Sequence, residues 1–204
     1  MLNNGNSCIL STTYFGPVQW YQKLNRYDCV FIDQQETFQK QTYRNRCLIA
    51  TTQGIQALTV PVVHGSKATI SDMLISDHGN WRHLHWQALQ SAYGDSPFFE
   101  YYEDDLRPFF AERNWERLID YNDAICCKMC ELLDIQPRFS SLISYPSPLT
   151  SDFRTAINPK HPLPDNGFEP RSYYQVYQQK HGFLANLSIL DLLLNMGPES
   201  VFYL

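Results

Sequence analysis

No stretch of this 204-residue chain reaches 18 consecutive apolar side chains, so no membrane-crossing helix is expected. The first seven residues, Met1-Leu-Asn-Asn-Gly-Asn-Ser7, lack both the basic start and the apolar centre of a secretory signal. A cytoplasmic location is therefore expected, with the six cysteines reduced and mostly buried. Positive charge is scarce: 16 Lys and Arg stand against 21 Asp and Glu, a net charge of −5. That balance argues against a general nucleic-acid binder, which needs a basic face. A glycine-rich phosphate loop, a G-x-S-x-G nucleophile elbow and an H-E-x-x-H zinc motif are all absent. Cys127-Lys-Met-Cys130 has the C-x-x-C spacing but no second pair. It falls deep inside a periodic helix, so packing is expected of it rather than zinc or redox chemistry. Neither a metal ion nor a cofactor is expected.

Aromatic rings are plentiful: 13 Tyr, 12 Phe and 4 Trp, more than a core alone needs, so some should line a cleft. Taken in order, residues 8–13 form a β-prone run, 18–25 a short helix after Gly16-Pro17, and 28–33 an apolar run bounded by acids. Strand, helix, strand is a βαβ unit with parallel strands. Ligands of such sheets bind beyond the strands' carboxyl ends, which would place Thr12, Thr13 and Asp33 there. Residues 34–46 are polar and weakly periodic, a loop or short turn. Residues 47–51 and 55–63 read as a hairpin, 64–67 as a surface turn, and 70–76 is ambiguous.

Helices dominate the next part. Residues 81–93 form one, with Asn80 as N-cap, Gly94 as left-handed stop and Trp81, Leu84, Ala88, Leu89 and Ala92 as apolar stripe. A second opens near Phe98 after Ser96-Pro97 and is interrupted at Pro108. A third is capped by Asn114, with Asn122 on its apolar stripe. Residues 139–145 and 173–178 read as strands. Residues 146–170 hold six of the 12 prolines and read as an irregular lid or connection. A last apolar helix spans 189–196. The expectation is one domain over 1–204 and an α/β fold: a mixed sheet begun by the βαβ unit, extended by the hairpin and covered by a helical layer. An α+β arrangement is the alternative.

Arg82, His85, Trp86 and Tyr93 share one helical stripe. Imidazole moves protons near neutral pH, and guanidinium clamps carboxylate or phosphate. The competing reading is a core histidine with one hydrogen bond. Lys40, Arg44, Asn45 and Arg46 form a local basic cluster, suited to an anion or merely solvated. If that segment is extended, Arg44 and Arg46 share a side. The acids among Glu100, Glu103, Asp104 and Asp105 suit a helix start, or one of them pairs with Arg82. Ser188-Ile-Leu-Asp191 has capping-box spacing, and Asp191 and Asn195 lie on one face of a Leu-rich helix, which suggests a buried polar network.

Several stretches together resemble the WbqC-like family: Tyr14-Phe-Gly-Pro17 with Trp20, residues 33–46 ending in Tyr-Arg-Asn-Arg, Leu58-Thr-Val-Pro61, Asn80-Trp-Arg-His-Leu-His-Trp86, Ser96-Pro-Phe-Phe-Glu-Tyr-Tyr102, and residues 186–195. The resemblance implies a place in surface-polysaccharide (O-antigen type) biosynthesis. Family members often carry His-Gln-Pro after the first strand; here the stretch reads Ser11-Thr-Thr-Tyr-Phe-Gly-Pro17. The expected activity is a transferase acting on a nucleotide-linked or amino sugar. In that account His85 is general base, Asp33 orients a hydroxyl or His85, and Arg44, Arg46 and Arg82 hold an anion. Asn45 and Lys40 support them, and Trp86 and Tyr93 stack on a ring. Asp191 and Asn195 complete the candidate set. The partner is a small molecule, a sugar nucleotide or other anion, with no membrane insertion. A non-catalytic ligand-binding or scaffold protein of the same pathway is the alternative, and a Cys–His hydrolase a third.

Overall fold

The computed structural model describes residues 6–63, 68–140 and 150–204. The chain begins with β1 (Ser7–Ser11), four of whose five residues are buried. After Pro17 comes α1 (Val18–Arg26), then β2 (Cys29–Asp33). β1 and β2 pair in parallel, Ser7 opposite Cys29 and Ser11 opposite Asp33, as the βαβ reading requires. A turn-rich passage leads to the hairpin of β3 (Arg46–Thr51) and β4 (Gly54–Thr59). Strand pairing stops before Pro61, whose nitrogen has no hydrogen to donate. β5 (Val62–Val63) then pairs antiparallel with β6 (Leu74–Ile75), across the 3-10 turn Ile70–Asp72. The turn read at 64–67 lies outside the described residues.

The helices are α2 (Trp81–Tyr93), α3 (Phe99–Leu106), α4 (Pro108–Ala111) and α5 (Leu118–Leu132). Pro108 occupies the first position of α4, so it restarts the helix as read. The short strands β7 (Phe139–Ser140) and β8 (Ser151–Asp152) follow; the rest of the strand read at 139–145 lies outside the described residues, as do Pro146 and Pro148. α6 (Gln178–His181) and α7 (Ile189–Met196) end the regular elements before a final 3-10 turn. The main sheet has the order β7-β2-β1-β8 and is parallel throughout. The fold is α/β. The hairpin does not extend this sheet but stands as its own two-stranded sheet, because the outer edge of β3 is taken by other partners. Ser188 N–H donates to the Leu48 carbonyl, and Ala50 N–H donates to the Tyr93 hydroxyl.

Four local readings need correction. Asn80 sits at φ 31° and makes no side-chain cap, and Gly94 is right-handed, so neither brackets α2 by the expected device. Asn114 lies upstream of α5, whose N-cap is Arg117. Leu84 is 57% exposed and off the buried stripe of α2. Residues 173–178 form no strand. Residues 173–175 pair with no strand, Tyr173 and Gln175 being buried and Tyr174 exposed; 176–177 turn and Gln178 opens α6. Among the described residues no helix is long and apolar enough to cross a membrane.

The core gathers around α7, where every residue from Ile189 to Asn195 is buried. The start of α7 fixes the loop after β1. Ser188 Oγ donates to the Phe15 carbonyl at 2.7 Å, Ile189 N–H to the Gly16 carbonyl, and Val18 N–H to the Leu187 carbonyl. That loop carries Thr12 and Thr13, and these bonds hold it in one course beyond the carboxyl end of β1.

Candidate functional site

Asp33 ends β2, and its Oδ1 accepts from the backbone N–H of Gln35 at 2.9 Å and of Glu36 at 3.1 Å. This Asx turn bends the chain back over the strand ends. It delivers the Glu36 carboxylate to Arg44, whose Nε donates to Oε1 at 2.8 Å and Nη2 to Oε2 at 2.5 Å. Arg44 Nη2 also donates to Ser11 Oγ at 2.8 Å, and Ser11 Oγ donates to Glu36 Oε2 at 3.2 Å. The second oxygen of Asp33 accepts from Arg154 Nη1, while Arg154 Nε and Nη2 are held by Asp152. Trp20 turns in from α1, its Nε1 donating to the Ser11 carbonyl at 2.9 Å.

These groups frame a cleft of about 220 Å³, counting its solvent-open part, lined by Ser11, Thr12, Thr13, Trp20, Tyr43, Arg44, Phe153, Arg154 and Ile157. It lies beyond the carboxyl ends of β1 and β2, where the topology places it. Two guanidinium groups line it; their three carboxylate partners, Asp33, Glu36 and Asp152, do not. Burial pushes the Tyr43 hydroxyl up to about 12, so at neutral pH it keeps its proton. Farther along the irregular segment the chain is strapped to α1. Lys23 Nζ pairs with Asp165 at 2.6 Å, and Gln22 Nε2 donates to the Gly167 carbonyl at 3.1 Å.

Beside this cleft lies a second polar group, inside the protein. α2 turns Trp81, Arg82 and His85 inward. Tyr14 Oη lies 2.9 Å from His85 Nδ1, and the imidazole packs on the rings of Tyr14 and Trp81. Burial drives the His85 pKa from 6.5 down to about 4, against a hydrogen bond with the Thr59 backbone, so the ring is neutral at pH 7. Arg82 pairs with Asp77, not with an acid of α3, and lies 4.4 Å over the Trp81 ring. Arg46 Nε donates to Thr59 Oγ1 at 2.9 Å. Asn45 Nδ2 donates to the Val60 carbonyl, and Asn122 Nδ2 to the Arg44 carbonyl, both at 2.8 Å.

The expected single hollow is thus divided. Arg44 lines the cleft and Asp33 touches it only through Arg154, whereas His85, Arg82, Asn45 and Arg46 do not line it. The cause is local: residues 41–45 are a series of turns and bends, so side chains there do not alternate as on a strand. Lys40 is solvent-exposed. Trp86 packs on Phe99 and Phe110. Tyr93 and Asp191 belong to a third cluster, under α7. Asp191 accepts from Tyr93 Oη at 2.9 Å, Tyr173 Oη at 2.7 Å and Gln175 Nε2 at 2.7 Å. Burial raises the Asp191 pKa and these three donors oppose it. Asn195 Nδ2 donates to the Asp191 carbonyl at 2.7 Å. The capping box is not formed, since the Ser188 N–H is already taken by Leu48.

Sequence reasoning missed Glu36, Arg154 and the walls Phe153 and Ile157. The last three sit in the irregular segment, where no period points inward. Glu36 had one signal, its place three residues after an Asp at a strand end. Among the described residues no group of three or more His, Cys, Asp or Glu is placed to hold a metal ion.

Fold and site define an α/β protein with a polar, aromatic-walled cleft at the carboxyl ends of parallel strands. Comparison with known proteins narrows this. The profile of the WbqC-like protein family matches residues 12–158, and the chain belongs to that family. It is also 29% identical over 217 aligned positions to the uncharacterized protein Rv1507c of Mycobacterium tuberculosis, covering 94% of this chain and 91% of that protein. No solved structure matches.

Proposed function

We propose that this protein is a transferase of surface-polysaccharide biosynthesis and that its cleft binds the nucleotide-linked or amino sugar on which it acts. One observation carries the reading: Arg44 and Arg154, from segments 110 positions apart, line one cleft beyond the strand ends, each oriented by carboxylates. Guanidinium N–H groups held in this way suit phosphate or carboxylate oxygens. Ser11, Thr12 and Thr13 line the same cleft, and Trp20, Tyr43 and Phe153 supply apolar walls for a ring. Asp33 does not line the cleft and acts on a ligand through Arg154, whose Nη1 it holds. Family membership supports the pathway.

A second reading, ligand binding without turnover, is favoured by one fact. The buried, neutral His85 does not line the cleft, so it is not placed to act as a base there. Thermal shift against a panel of sugar nucleotides and amino sugars tests both, with Arg154→Ala as control. Absence of any shift, or shifts that survive in the variant, would sink the cleft as the site. Shifts lost in the variant with no product from any acceptor would leave the binding-only reading.

A further inference from the structure

We propose that residues 154–164 form a cover over the cleft, that the cover stands closed in this structure, and that a ligand enters only when the Arg154–Asp33 pair opens. The proposal rests on the cleft being the substrate site and says how that site is reached.

Space comes first. The 220 Å³ of the cleft includes open solvent, and the positions open to the centre of a water span only about 10 Å³. That is room for about one water. No sugar ring or phosphate group enters such a space unless a wall moves. Thr12, Thr13 and Arg44 belong to the body and are held there. The start of α7 fixes the loop after β1, and Arg44 is gripped by Glu36 and Ser11. Phe153, Arg154 and Ile157 come to the lining from one short run.

Attachment comes second. The ends of that run are well tied. β8 pairs with β1, and Phe153 N–H donates to the Ile9 carbonyl at 3.0 Å. At the far end Asp165 pairs with Lys23 at 2.6 Å and accepts from Gln19 Nε2 at 2.8 Å. Between these ends, among the described residues, two hydrogen bonds reach the body: Arg154 to Asp33 and Lys160 to Gln41. Arg154 is about a quarter exposed, and Lys160 and Gln41 are exposed, so water competes for both bonds. Other bonds of the run are internal, such as Ile157 N–H to the Phe153 carbonyl and Leu163 N–H to the Ala156 carbonyl. Pro159, Pro162 and Pro164 have no N–H, so the run cannot extend β8 along β1. Burial of Ala156 and Ile157 favours the closed position when no ligand is bound. Arg154 travels with the cover and Arg44 stays with the body, so closure brings both guanidinium groups onto one anion.

The test is pulsed alkylation of the full chain carrying Thr12→Cys with N-ethylmaleimide, read by peptide mass spectrometry at increasing urea. Thr12 lines the cleft and is 2% exposed; Cys47, 0% exposed in the core, is the reference within the same molecule. The expected result is labelling at Thr12→Cys at least about 100-fold faster than at Cys47 and nearly independent of low urea, as a local opening gives. Cys47 should follow global unfolding. Arg154→Ala should speed labelling at Thr12→Cys about two- to fivefold. Any sugar nucleotide or amino sugar that raises the Tm should slow it. Ile157→Cys reports from the cover side and replaces Thr12→Cys if that variant does not fold. Labelling in step with Cys47, or as fast as in the urea-unfolded chain, would overturn the cover. If a ligand still raised the Tm of wild type but not of Arg154→Ala, the cleft would remain the site with another entrance. Local opening that no Tm-raising ligand slows would put the ligand elsewhere and overturn both the cover's role and the cleft.

Discussion

Two clusters of carboxylates and donors in this molecule differ in how completely they are closed. Under α7, Asp191 is 0% exposed, and its two oxygens receive two tyrosine hydroxyls and one amide. Gln175, which supplies that amide, also accepts from the Leu184 N–H and donates to its carbonyl. At the cleft, Arg154 is about a quarter exposed, the carboxylates outnumber the guanidinium groups three to two, and Thr13 Oγ1 has no partner. A network whose polar groups are all matched has finished its work when the chain folds. A network whose charges are unevenly matched and that keeps a buried hydroxyl without a partner has capacity left for something that the chain does not contain. The contrast separates Asp191, a structural acid, from Asp33, a candidate functional one, although both are buried carboxylates at the end or start of a regular element.

The contrast breaks first at Asp191. Asp191→Ala leaves the donors of Tyr93, Tyr173 and Gln175 pointing at an empty centre, and should cost roughly 3 kcal/mol or more, since each buried donor left unmatched costs about 1–3 kcal/mol. Urea unfolding measures it. A loss under about 1 kcal/mol would erase the distinction drawn between the clusters.

His85 gives the next largest effect, in its pH dependence. Its pKa is 6.5 unfolded and about 4 folded, so between those values the unfolded chain binds the extra proton. Stability is then full above pH 6.5 and is lost as pH falls toward 4. The total is about 3 kcal/mol at 1.36 kcal/mol per unit. Asp123, raised to about 6 by burial and then by Asp120, works in the opposite direction over the acid part of this range. The difference between wild type and His85→Asn cancels that background. If this difference has the same size at pH 7 and pH 4.5, the imidazole is not held neutral, and its exclusion from the cleft loses its physical basis.

Asn122 tests the join between the interior and the cleft. Its Nδ2 holds the Arg44 carbonyl and so fixes the backbone from which the Arg44 guanidinium reaches Glu36. Asn122→Ala leaves that carbonyl unmatched and should cost about 1–3 kcal/mol. It should also weaken ligand binding, although residue 122 does not line the cleft. A stability loss with unchanged binding would show that Arg44 needs no help from behind.

Much of this was legible in the sequence, and the misses have physical causes. The bounds of α2 read correctly from its period, even though the devices assigned to its ends were wrong. Amphipathic spacing is a stronger signal than any single cap. The alternation at 173–178 was real, but it reported burial of Tyr173 and Gln175 toward Asp191, not strand pairing. Thr12, Thr13 and Asp33 were placed by topology alone, because parallel strands fix which ends share a face. Asn122 was visible as the one amide on an apolar stripe. The grouping of Arg46, Arg82 and His85 with Arg44 failed because it needed an extended backbone at 41–45, where the chain turns instead. Arg154 was out of reach: it meets Asp33 only through tertiary packing of a segment with no period to read.

Arg154 therefore yields the smallest expected change in stability and the sharpest test of the comparison. Its side chain is 28% exposed and bridges Asp152, which is 44% exposed, and Asp33. Solvent screening and side-chain entropy limit such a pair to about 0–1 kcal/mol. Arg154→Ala should leave the urea midpoint nearly where it is, since Asp33 keeps two backbone N–H donors. Ligand binding should fall much further than stability, because one of the two guanidinium groups lining the cleft is gone. Asp191→Ala should show the reverse ratio, a large loss of stability and, in whatever fraction folds, normal binding. If both variants lose stability and binding in the same proportion, the cleft is no more specialised than the core, and completeness of hydrogen bonding does not tell a site from a scaffold in this protein.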